Sequence, residues 1–155
     1  MISFASLFAS PGYNASYPLL AAVWLQAMGA GSRGMMASLG VLDNVCPRDT
    51  VANMEKSGKY KPDDIAKLKR LEAAQTNCIE SLGIFAASVV AGNVAGLPAA
   101  YMNKMVLGYL GLRFLYVYLY ATTTYTPKSL LRSGTWVACQ RWQHSQRKPL
   151  SAIAR

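Results

Sequence analysis

The chain has 155 residues, 52% hydrophobic and only 15% charged, with 16 Lys and Arg against 7 Asp and Glu. One domain, 1–155, is expected from that length, and an ordinary soluble domain is excluded by where the charges fall: every acidic residue lies between Asp43 and Glu80, so that 17–41 and 81–125 are nearly charge-free, and uncharged stretches of about 20 residues mark membrane helices. The net charge of +9 does not indicate nucleic acid, because Lys and Arg sit in loops and at helix ends instead of forming a basic patch with exposed aromatics.

Cys46, Cys78 and Cys139 are far apart and form no CxxC pair, which offers neither a disulfide framework nor a metal site. The single histidine, His144, lies in a polar tail and reads as a solvated residue.

In chain order, the N-terminal MISFASLFASPGYNASYP lacks the basic start of a signal peptide and is broken by Pro11, so it reads as an interfacial lead-in. The first expected span is Tyr17 to Val41, with Pro18 suited to a first helical turn. Arg33 and four glycines weaken its second half, and a helix that ends near Gly31 is the alternative. Asn14, Ala15 and Ser16 form a glycosylation sequon crowded against that span.

From Leu42 to Lys69 the chain turns hydrophilic, with Pro47, Gly58 and Pro62 as breakers. Pro62, Asp63 and Asp64 predict the first turn of a helix, since carboxylates favour the N-terminal dipole. It is expected to run to about Val94, longer than a bilayer requires, leaving its first turns in water or headgroups. Gly96, Leu97 and Pro98 predict a tight connection, and a further span is expected over Ala99 to Thr123. Residues 129–143 are a poor, short fourth span carrying Arg132 and Arg141, followed by a basic tail at 147–155. Counting Lys and Arg at the span ends predicts that the long loop, 42–69, is cytosolic.

Two helices concentrate polar groups. Arg70, Ala73, Asn77 and Glu80 follow spacings of three and four, with Gln75 to the side, and Tyr109, Arg113, Tyr116 and Tyr120 do the same on the next span. A carboxylate and a guanidinium at similar depth predict a Glu80–Arg113 pair, either as an ion pair holding the bundle or as part of a polar cavity where a polar cosubstrate meets a lipid-soluble partner.

Arg70, Ala74, Gln75, Asn77, Glu80 and Phe85, then Arg113, Tyr116 and Tyr120, together resemble the signature of the MAPEG family, membrane-associated proteins in eicosanoid and glutathione metabolism. The segment Asp43 to Arg48, DNVCPR, is similar to the family's DN-x-x-PR loop, and Arg132, Ser133 and Trp136 are similar to its helix-four start. The likeness is strongest over 17–142. It implies an all-α integral membrane four-helix bundle with a weak fourth helix, assembling as a homotrimer in an internal membrane such as the endoplasmic reticulum. Glutathione would bind between subunits near the cytosolic face, in contact with Gln75, Asn77, Glu80, Arg113, Tyr116 and Tyr120. Arg132, with Lys128 as runner-up, would stabilise the thiolate, with Tyr120 and Glu80 as further catalytic groups acting on a hydrophobic small molecule. No metal is implied. Ala73 and Ser81 stand where certain members carry an arginine and a tyrosine. That motivates a second expectation, a glutathione-independent isomerase or cyclase using Glu80; a third is a non-enzymatic lipid-binding membrane partner.

Overall fold

In a computed structural model of the chain, residues 13–125, 130, 133–138 and 141 are described. Among them every regular element is helical: α1 (Ser16–Gly29), α2 (Arg33–Ser38), α3 (Thr50–Ser57), α4 (Pro62–Val94) and α5 (Ala99–Thr122). The mutual packing of α1, α4 and α5 forms the body of the molecule.

The long helix behaves as its sequence dictates. Pro62 occupies the first turn of α4 with Asp63 and Asp64 beside it, where the missing N–H is harmless and the carboxylates face the positive end of the helix. At 33 residues it is about 50 Å long, against a hydrocarbon core of about 30 Å, so its first turns stand outside. There they pack with α2 and α3 in a separate small core of Met36, Val51, Met54, Ile65 and Leu68. The Lys69–Glu55 ion pair, 2.7 Å and half exposed on both sides, adds little in water.

At its other end α4 stops in a Schellman turn. Leu97 N donates to Gly92 O at 3.1 Å and Gly96 N to Asn93 O at 3.0 Å, which requires the left-handed φ of +73° that Gly96 adopts. The turn folds Leu97 into the main core, where Val23, Phe85, Val89, Met102, Met105, Val106 and Tyr109 meet. Phe85 and Tyr109 stack there with ring centroids 3.7 Å apart.

An amide clamp fastens the start of α1 to this turn. Asn103 accepts from Ala15 N at 2.8 Å and donates to Tyr13 O at 2.9 Å. Asn14 Nδ2 donates to Asn93 Oδ1, and Asn93 Nδ2 donates to Ser16 Oγ at 2.9 Å. The sequon residues Asn14 and Ser16 are thus absorbed into the clamp.

Both α4 and α5 are long and apolar enough to cross a membrane, and only 28% of the residues in each apolar window are buried within the chain. A soluble core helix would bury far more of itself. The expected first span, Tyr17 to Val41, is corrected: it divides into α1 and the short α2 around residues 30–32. The break follows from Gly31 and Ser32 together with Arg33, whose charge leaves the apolar layer. With 14 residues, α1 reaches about 21 Å, short of a full crossing. Of the expected fourth span, 129–143, residues 130, 133–138 and 141 are described, and all of them are helical.

Replacing Asn103 by Ala orphans the Ala15 amide and the Tyr13 carbonyl and should lower unfolding stability by about 1–3 kcal/mol. Asn103→Asp loses the donor to Tyr13 O and buries a carboxylate against that carbonyl, so it should cost at least as much as Ala, as measured by thermal denaturation in detergent micelles.

Candidate functional site

The buried seam of α4 runs through Ala74, Cys78, Ser81, Phe85, Val89 and Gly92, at the three-and-four spacing of one helical face. Glu80 lies about 200° around the helix from Cys78 and about 100° from Ser81, and is exposed. Arg113 belongs to the opposing seam of α5, with Met102, Val106, Tyr109 and Tyr116, and only 1% of it is exposed. The expected Glu80–Arg113 pair is therefore not formed within the chain, because the two side chains leave their helices in different directions.

The surroundings of Arg113 are aromatic and polar. Its Nε donates to the Tyr109 hydroxyl at 2.8 Å, and its guanidinium carbon lies 5.0 Å from the Tyr109 ring centre and 5.6 Å from that of Tyr116. Cation–π attraction at such a site is worth up to about 2 kcal/mol. Tyr116 in turn meets Tyr120 edge to face at 5.5 Å. Of the expected site residues, Arg113, Tyr116 and Tyr120 are thus brought together on α5.

Those on α4 do other things. Gln75 Nε2 donates to Met28 O at 2.8 Å, capping an orphan carbonyl at the C-terminal end of α1. It lies so close over Gly31 that a Cβ there would stand 2.3 Å from Gln75 Oε1. Asn77 is half-buried, and its carbonyl accepts from Ser81 Oγ at 2.8 Å, so Ser81 is turned back onto its own helix. Arg132 and Lys128 lie outside the described residues.

Where α1 gives way to α2, a cleft of about 490 Å³ opens between this junction, the 43–48 loop and α4. Ser32, Arg33, Arg48, Glu72 and Gln75 provide its polar lining, and Met28, Met36 and Ile79 its apolar floor. Both arginines are exposed, whereas Glu72 is half-buried and accepts from Ser32 Oγ at 3.2 Å. Two guanidinium groups against one carboxylate leave the cleft cationic, with a group of opposite sign at its wall. Such a lining can take a ligand that carries more than one carboxylate and one ammonium group.

Arg33 and Glu72 are functional candidates that sequence reasoning passed over. Arg33 reads there only as a flaw in a span, and Arg48 only as part of the DNVCPR loop. A charge interrupting an apolar run, followed by a loop rich in charge, was the available signal. Among the described residues no group of His, Cys, Asp and Glu could hold a metal ion.

A model described as the MAPEG family matches residues 13–140. No curated protein and no solved structure matches.

Gly31→Ala should displace the Gln75 amide from the Met28 carbonyl and cost at most about 1.5 kcal/mol, the worth of one hydrogen bond, because the obstructing atoms belong to a flexible side chain. Adding Gln75→Ala in that background should then cost nothing further, a coupling that a double-mutant cycle measures.

Proposed function

The chain belongs to the MAPEG family, and we propose that it is an integral membrane enzyme that uses glutathione to modify or isomerise a lipid-soluble electrophile. The observation that carries this reading is the cationic cleft at the α1–α2 junction. Glutathione carries two carboxylates, one ammonium group and a thiol, and the lining is complementary to that set: Arg33 and Arg48 for carboxylates, Glu72 for the ammonium, Gln75 for the peptide amides. The missing arginine at Ala73 is thereby compensated from α2 and the loop before α3.

Bound glutathione supplies the sulfur nucleophile. In this reading Arg132, or Lys128 in its place, favours the ionised form of the thiol, since a nearby cation lowers a thiol pKa from its usual value of about 8.5. Asn77 and Glu80, which adjoin the lining residues Thr76 and Ile79 in sequence, reach the cosubstrate from α4 in the same reading. In this reading Tyr116 and Tyr120 supply phenol groups from α5, where the Arg113 guanidinium carbon lies 5.6 Å from the Tyr116 ring centre.

Glu80 also supports assembly. It stands exposed on α4 at the edge of a charge-free run of the chain, and a carboxylate at that depth needs a protein or aqueous neighbour instead of lipid. A homotrimer provides one by laying another subunit against this face. The excess of Lys and Arg at the α4 start supports a cytosolic loop at 42–69, in an internal membrane such as the endoplasmic reticulum.

Glutathione should bind the detergent-solubilised protein, and Arg33→Ala or Arg48→Ala should each weaken binding about tenfold, the worth of roughly 1.4 kcal/mol from one charged hydrogen bond. Titration calorimetry checks this, and absence of binding at millimolar glutathione would overturn the reading.

A second reading draws on one observation: Ser81 is spent on its own helix while Glu80 is exposed and takes part in no ion pair among the described residues. Glu80 would then act as acid or base on a hydrophobic intermediate without glutathione, while the tyrosines donate hydrogen bonds. Turnover that persists in glutathione-free protein and disappears in Glu80→Gln would establish it.

A further inference from the structure

Between α1, α4 and α5, at the level of Ala27, Ala30, Cys78 and Tyr116, two buried polar groups lack the partners their chemistry demands. Arg113 is 1% exposed, yet neither Nη1 nor Nη2 has a hydrogen-bond partner, and Gln26, 9% exposed, leaves Oε1 without a donor. Both lie alongside the Cys78 thiol, but no hydrogen bond of acceptable geometry from it reaches those atoms.

The deficit is one of charge as well as of hydrogen bonds. A guanidinium stays protonated in proteins, and an uncompensated buried charge is among the most destabilising features a fold can hold. Among the described residues no carboxylate is placed to answer it. All seven acidic residues lie from Asp43 to Glu80: five precede or open α4, Glu72 is turned to Ser32, and Glu80 is exposed on another face. The segments outside the described residues contain no Asp or Glu. The two tyrosine rings offset part of the charge but leave the Nη–H bonds unused.

We propose that this junction is a binding site for a small inorganic anion of halide size. The anion accepts from Arg113 Nη1 and Nη2, and the Gln26 amide, whose two ends exchange by rotation, turns its NH₂ toward it. The small side chains of Ala27, Ala30 and Cys78 form the remaining wall. The site is separate from the cleft of Arg33 and Arg48, on the protomer's internal seam, and would lock α1 to α4 and α5. It does not depend on the glutathione reading.

The test uses the full-length protein in detergent, with sodium chloride replaced stepwise by sodium gluconate at constant ionic strength. A ligand bound only by the folded state raises the melting temperature with its concentration, so the wild-type melting temperature should climb with chloride and with bromide. Gln26→Glu places a carboxylate against the guanidinium and should abolish that dependence while keeping or raising stability in gluconate. This variant should retain the fold, which makes it a safer probe than Arg113→Gln, whose loss of the Tyr109 hydrogen bond should itself destabilise the seam. Cys78→Ser should preserve the chloride dependence. A wild-type melting temperature indifferent to halide would overturn the proposal and assign the site to water. Loss of the dependence in Cys78→Ser would overturn it in favour of an ionised Cys78 as internal counter-ion.

Discussion

The body of this protein is arranged around one buried positive charge. Arg113 sits where three helices meet, and the groups that partly offset its burial are the Tyr109 hydroxyl and ring and the Tyr116 ring. Tyr109 is itself fixed by its stack on Phe85. An apolar residue in this place would pack the seam as well and orient nothing, whereas the guanidinium holds Tyr109 through its hydroxyl while that ring stacks on Phe85 of α4, which links the charge to the rotation of α5. Tyr116, one of the phenols assigned to the proposed site, lies against the guanidinium and meets Tyr120 edge to face.

Much of this was legible in the sequence. Pro62 with Asp63 and Asp64, the Gly96–Leu97–Pro98 turn and the charge-free runs fix α4 and α5 almost to the residue, because capping chemistry and the absence of charge are local properties. The family signature was equally plain, since its residues recur at helical spacing on two consecutive spans.

What the sequence does not carry is direction across helices. Arg70, Ala73, Asn77 and Glu80 share a stripe by spacing, but which stripe faces the partner helix is decided by Ala74, Cys78, Ser81 and Phe85, whose small or apolar side chains pack better. Glu80 and Arg113 were therefore expected to pair and do not. The same limit hid the cleft: Arg33 and Arg48 converge with Glu72 only after the chain has broken near Gly31, where Gln75, 44 residues on, lies close against the backbone. Likewise, nothing in the sequon Asn14–Ala15–Ser16 announces that its side chains serve to tie α1 to the turn after α4.

The shortness of α1 has a consequence for the membrane itself. Its start is held level with the α4–α5 turn by the asparagine clamp, so the whole shortfall of about 9 Å against a hydrocarbon core of about 30 Å appears at the end bearing the cleft. Lipid there must thin, or water must dip inward, to meet Arg33. The aqueous boundary is thereby drawn down toward Met28 and Ile79 of the cleft, which in the proposed function is where the water-soluble cosubstrate and the membrane-dissolved substrate would meet.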